Sequence, residues 1–256
     1  MKQYLLFDLD GTLTDPMVGI TSSVQYALEK FGIHVKYLKD LIPFIGPPLD
    51  DSFQEFYGLS KEDAGKAVEY YRERYAVKGI FENRPYDGVE NLLRELKGRG
   101  YILAVASSKP EYYVTKILDY FNLSSYFEVV VGSEMNGART SKTEVIEEAL
   151  KRLNMSDRRK EVLMVGDKEH DVLGARAAGL ACVAVGYGYG TKEELTEKYH
   201  VVKGSKKQLD YMKKALVGRR DDESCSCGLV DTTKDYLKLA ALDEPARLSD
   251  IVEYLL

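Results

Sequence analysis

Asp8 and Asp10 close a short apolar run, Tyr4-Leu5-Leu6-Phe7-Asp8-Leu9-Asp10-Gly11-Thr12-Leu13-Thr14-Asp15. On an extended chain a spacing of two puts both carboxylates on one side, so they face one ligand site where the chain leaves its sheet. Gly11 allows a sharp turn there, and the strand ends of an open α/β sheet are where ligands bind. Taken alone, the pair reads equally as a catalytic centre or as a solvated acidic turn.

Three later stretches narrow the choice. Tyr101-Ile102-Leu103-Ala104-Val105-Ala106 ends in Ser107-Ser108-Lys109, and Glu161-Val162-Leu163-Met164-Val165 ends in Gly166-Asp167-Lys168-Glu169-His170-Asp171, with Lys142 between them. From about residue 4 to about residue 195 the chain resembles the haloacid dehalogenase-like hydrolase superfamily. That family carries a DxD motif, a strand-terminal Ser or Thr, a Lys and a GDxxxD motif, and all four are present here in order. The helical stretch after DxD, the turn Phe44-Ile45-Gly46-Pro47-Pro48-Leu49 and the segment Asn83-Arg84-Pro85-Tyr86-Asp87-Gly88-Val89 look most like its phosphoglycolate phosphatase-like group.

The resemblance implies a Mg2+-dependent phosphatase that hydrolyses a small phosphate monoester through an aspartyl-phosphate. By it, Asp8 is the nucleophile, Asp10 the general acid and then base, and Ser107 and the Ser108 N–H bind phosphate oxygens. Lys142 bridges nucleophile and phosphate, and Thr12 reads equally as orienting Asp10 or its loop and as a turn-forming residue. The metal falls to the Asp8 and Asp167 side chains and the Asp10 backbone carbonyl, with Asp171 a ligand or an anchor behind them. An acid at position 10 points to phosphomonoesters or phosphosugars, because dehalogenases, phosphonate-cleaving members and ion-pumping ATPases lack it. Three alternatives remain: a 5′-nucleotidase, a β-phosphoglucomutase-like phosphosugar mutase, and a non-catalytic phosphate-binding regulator.

These residues need elements to hold them. After Asp15 only helical patterns occur, over Ile20 to Phe31, Leu49 to Tyr57 and Ser60 to Tyr75, the last opened by Ser60-x-x-Asp63. Pro43, Gly46, Pro47 and Pro48 interrupt them. From Pro85 helices alternate with strands: helix 88–97, strand 101–106, helix 110–121, strand 127–131, helix 141–153, strand 161–165, helix 171–178 and strand 181–185. Such alternation means a doubly wound parallel α/β sheet with right-handed crossovers, the Rossmann-type core that the resemblance also implies. The expected division is an α/β core, 1–15 and 85–256, and a helical cap, 16–84, hinged near Pro16 and Arg84-Pro85. Arg72, Arg74 and Lys78 are the basic candidates on the cap for facing a small acidic group.

The 256 residues suffice for such a core plus a smaller unit, and the net charge of −5 with mixed signs favours a small substrate, which the resemblance implies is phosphorylated, over nucleic acid. No apolar stretch approaches a membrane span, and the start lacks a signal peptide pattern, so a cytoplasmic protein is expected, of unspecified oligomeric state. Three cysteines make no disulfide framework, and Cys225-x-Cys227 lacks a second pair for zinc. His170 is expected at the surface, and His34 and His200 as structural or surface residues. Residues 203–240 read as an insertion or flexible loop, followed by an amphipathic helix over Leu248 to Leu256.

Overall fold

In a computed structural model, described for residues 3–191 and 201–202, the chain opens on strand β1 (Tyr4–Phe7) and the two-residue strand β2 (Thr14–Asp15). Helices α1 (Met17–Glu29), α2 (Leu49–Tyr57) and α3 (Lys61–Tyr75) follow, then the short strand β3 (Arg84–Pro85). The remainder alternates: α4 (Val89–Gly98), β4 (Ile102–Pro110), α5 (Glu111–Tyr120), β5 (Val129–Ser133), α6 (Lys142–Arg152), β6 (Val162–Gly166), α7 (Glu169–Ala177), β7 (Ala181–Val185) and β8 (Val201–Val202). Residues 203–240, Cys225 and Cys227, His200 and the expected helix at the end lie outside the described residues.

The parallel sheet has the order β5-β4-β1-β6-β7-β8, which sets β1 between β4 and β6. Successive strand side chains point to opposite faces, and both faces are apolar. Leu6, Ala104, Ala106 and Met164 pack on one face with Val145, Ile146 and Ala149 of α6. Leu5, Phe7, Leu103, Val105 and Val165 line the other, against Leu92, Leu93 and Leu96 of α4 and Val114 and Ile117 of α5. Each of the larger side chains contributes roughly 1.5–3 kcal/mol by leaving water, which fixes β1 at the centre and its carboxyl end at the middle of one sheet edge.

Local signals set several boundaries. The Ser60 hydroxyl caps α3 by accepting from the Asp63 N–H at 3.1 Å, and Ser141 and Glu144 form a reciprocal capping box at the start of α6. Ala64, Ala67, Tyr71 and Tyr75 fall on one face of α3 and are all buried. Gly58, at φ 64°, ends α2.

Several boundaries differ from expectation: β5 lies two residues later than 127–131, α7 opens two residues before 171, and three other stretches differ as follows. α1 starts at Met17, a turn early, directly after Pro16, whose fixed φ of −87° leads into the helix. The proline-broken stretch before α2 forms a 3-10 helix, Leu38–Phe44, with Pro43 inside it. β4 runs on to Pro110 with a register shift against β5 between Ala106 and Pro110, and Pro110 caps α5 instead of sitting in its first turn. A bulge of this kind re-aims side chains, and here it turns Ser107-Ser108-Lys109 out of the regular ladder.

Candidate active site

The ends of β1, β4 and β6 and the start of α6 bring four of the expected residues together. Lys142 Nζ donates hydrogen bonds to Asp8 Oδ1 at 2.8 Å and to the Ala106 carbonyl at 3.1 Å, and it is ion-paired with Asp171 Oδ1 at 2.7 Å. It is 6% exposed, so it is a buried ion-pair partner and not a solvated lysine at a helix cap. Gly174 of α7 makes room for it, since a Cβ there would lie 2.7 Å from Lys142 Cγ.

Asp8, Asp167 and Asp171 each offer a carboxylate oxygen within 4.8 Å of the others, and all three are buried. At that spacing two ionised carboxylates repel by about 3 kcal/mol in a protein-like medium. Burial, then the neighbouring carboxylates, push the Asp167 acid up. Asp171 is raised too, by burial first, with Lys142 pulling the other way. Burial alone would lower the Lys142 ammonium, yet Asp171 and Asp8 outweigh it and raise its pKa. Three carboxylates against one ammonium leave two negative charges uncompensated, the charge of one divalent cation. The donors are hard oxygens, which suits Mg2+. The residues present therefore fit that ion.

Asp167 is held from both sides. Thr12 Oγ1 donates to its Oδ1 at 3.1 Å, and the Tyr189 N–H donates to its Oδ2 at 2.7 Å. Gly11, at φ 85°, and Gly188 close over it, and a Cβ on either would overlap the carboxylate. Asp171 accepts from the Asp167 and Lys168 N–H groups at 3.1 and 3.0 Å, so it braces the loop that carries Asp167.

Asp10 faces a partner absent from the expected set, the ammonium of Lys109, to which it is ion-paired. Its other oxygen, Oδ1, is buried with no hydrogen-bond partner among the described residues. Burial raises the Asp10 acid, and Lys109 works in the opposite direction. Ser107 is buried at the same strand end, where its hydroxyl accepts a long bond of 3.4 Å from the Lys109 N–H, and Ser108 is half-buried beside it. Tyr187 and Tyr189 also join the site: the Tyr187 hydroxyl donates to the Thr12 carbonyl at 2.9 Å, and the Tyr189 hydroxyl bonds Asp15.

Two nominated basic residues are engaged elsewhere. Arg74 donates two hydrogen bonds to the Glu82 carboxylate, at 2.7 and 3.1 Å, and another to Ser23, while Lys78 lies 3.5 Å from Glu82. Arg72 is half-buried near Tyr113, whose hydroxyl burial pushes up while the Arg72 charge opposes the rise. His34 and His170 are exposed, as expected. No helix among the described residues is long and apolar enough to cross a membrane.

The family model for haloacid dehalogenase-like hydrolases matches residues 5–185. A 5'-nucleotidase of Pseudomonas aeruginosa is 47% identical over 191 residues, covering 75% of this chain and 86% of the relative. The tyrosine-protein kinase PtkA of Mycobacterium tuberculosis is 38% identical over 214 residues, 84% of this chain and 72% of that protein. Among solved structures, a predicted phosphatase from Clostridium acetobutylicum superposes with a TM-score of 0.76 at 44% identity, covering 85% of this chain and 99% of that one.

Proposed function

The chain belongs to the haloacid dehalogenase-like hydrolase family, and on that premise we propose that it is a Mg2+-dependent phosphatase of small phosphate monoesters, phosphoglycolate phosphatase-like, working through an aspartyl-phosphate. One observation carries the reading: a buried ammonium, Lys142, ties Asp8 at the end of β1 to Asp171 in the first turn of α7, just after Asp167.

Asp8 and Asp167 would hold the ion with their side chains and Asp10 with its backbone carbonyl. Asp171, with one oxygen on Lys142 and the other on two backbone N–H groups, is better suited to anchoring them. When bound, Mg2+ offsets the repulsion between the ester's negative charge and Asp8. Lys142 fixes Asp8 through Oδ1, which leaves Oδ2 to attack phosphorus as the bond to the leaving oxygen breaks. Ser107 and the Ser108 N–H stand at the bulged end of β4 to bind phosphoryl oxygens. Asp10 gives its proton to the leaving oxygen. It then takes one from the water that attacks the aspartyl-phosphate, releasing phosphate and restoring Asp8. Thr12 acts by holding Asp167 instead of Asp10.

Residues 16–84 act in this scheme as a cap over the core 1–15 and 85–256. Its two ends are paired antiparallel, Thr14 with Pro85 and Asp15 with Arg84, which supports hinging at that point.

The test is a screen of small phosphate esters with Mg2+, reading free phosphate. The name of the Pseudomonas relative supports a second reading, a 5′-nucleotidase, so nucleoside 5′-monophosphates belong in the panel. Glucose 1-phosphate turned into an isomeric sugar phosphate without free phosphate would instead establish a mutase. No phosphate from any ester would overturn the hydrolase.

A further inference from the structure

Tyr75, the last residue of α3, carries a buried hydroxyl with no hydrogen-bond partner among the described residues. Its ring is well fixed, stacked on Tyr71 at 5.1 Å and 13° and set edge-on to Tyr113 at 5.4 Å and 85°. Phenylalanine would make the same ring contacts without burying an unsatisfied polar atom, which costs folding free energy. The hydroxyl needs another reason.

Its neighbours suggest one. Lys109 Nζ sits 5.1 Å from the centre of the Tyr75 ring and is the same ammonium that pairs with Asp10. Asp10 Oδ1 is the second buried atom here without a partner. Burial, and then the Asp10 carboxylate, push the Tyr75 hydroxyl well above its ordinary pKa, so it stays a neutral O–H donor. One donor, the ammonium at the end of β4, thus pairs with the residue that would protonate the leaving oxygen, and the ring that carries the other, from the helical segment, packs against that ammonium.

We propose that Tyr75 Oη and Lys109 Nζ form the subsite for the leaving group, selecting phosphate monoesters whose leaving group carries an oxygen acceptor, carboxylate or hydroxyl, near the bridging oxygen. This rests on the phosphatase reading above. An alkyl leaving group offers only carbon at that place and leaves both donors without an acceptor, and a site built to bond a substrate oxygen discriminates against the analogue that lacks it.

The experiment compares wild type with Tyr75→Phe on 2-phosphoglycolate, glycerol 3-phosphate and ethyl phosphate, all with Mg2+. Wild type should favour the first two over ethyl phosphate by at least about tenfold in kcat/KM, and Tyr75→Phe should cut that preference roughly tenfold, mainly through KM. Its Tm should equal or exceed that of wild type, because no bond is lost. Hydrolysis with the same preference in both proteins, or a Tm several degrees lower in the variant, would overturn the subsite and leave the phosphatase standing. No hydrolysis of any ester by wild type would overturn both.

Discussion

Lys109 and Asp10 are ion-paired across a separation of 99 residues, at the place where the bulged end of β4 meets the loop after β1. The pair holds the carboxylate in place beside Asp8. Lys109→Met should lower kcat roughly ten- to a hundredfold, because the proton-transferring acid loses its fixed position. Steady-state rates on the best ester would measure this, and a kcat within about twofold of wild type would detach Lys109 from the proton step.

Asp8→Asn should reduce turnover by at least about a thousandfold, since an amide oxygen is a poor nucleophile. Its circular dichroism should match wild type, because the amide still accepts from Lys142. Residual turnover near the wild-type rate would remove Asp8 from the covalent step.

Excess chelator should stop turnover, and added Mg2+ should restore it. A binding readout is independent of rate: Mg2+ at about one hundred times its Kd should stabilise the fold by about 2.7 kcal/mol through mass action. Asp167→Asn should shrink that gain, and an unchanged Mg2+-dependent rise in Tm would place the ion elsewhere.

The Arg74–Glu82 pair gives a pH signature away from the chemistry. Two Arg74 hydrogen bonds hold the Glu82 acid below its usual value of 4.5, against a smaller opposing effect of burial. A depressed folded pKa means stability that is present above the unfolded value and lost as the pH falls through the folded one. Glu82→Gln should therefore cost about 1 kcal/mol at neutral pH, with the deficit fading below about pH 4.5. Denaturation midpoints at both ends of that range measure it, and a pH-independent deficit would assign the loss to packing.

Gly188→Ala should destabilise the fold by about 1–3 kcal/mol through overpacking against the Asp167 carboxylate and the Gly11 carbonyl. Chemical denaturation checks it, and a neutral substitution would mean that the loop after β7 yields freely.

Much of this architecture could be read from local rules. Ser141 with Glu144, and Ser60 with Asp63, mark helix starts by hydrogen bonds that span three residues, so their spacing alone reveals them. The alternation of apolar runs likewise points to the sheet whose strand ends carry Asp8 and Asp167. Lys109 was hidden because its partner is remote and because a lysine after two serines resembles any solvated turn residue. The extension of β4 depends on the bulge beside β5, which no period in its own residues encodes. Arg74 and Lys78 were nominated for their charge, but they neutralise Glu82, a pairing set by how the chain after α3 folds back.

The two-residue ladder of β2 and β3 has a mechanical corollary. Since Thr14 and Asp15 lie alongside Pro85 and Arg84, everything between them hangs from two adjacent threads, like a door on one pin. If residues 16–84 swing about that line, as the proposed cap would, no rung of the six-stranded sheet breaks, because β2 and β3 form a sheet of their own. Such a swing would have to part Tyr75 from Tyr113 and Phe81 from Tyr120, the ring contacts that reach from this segment to α5.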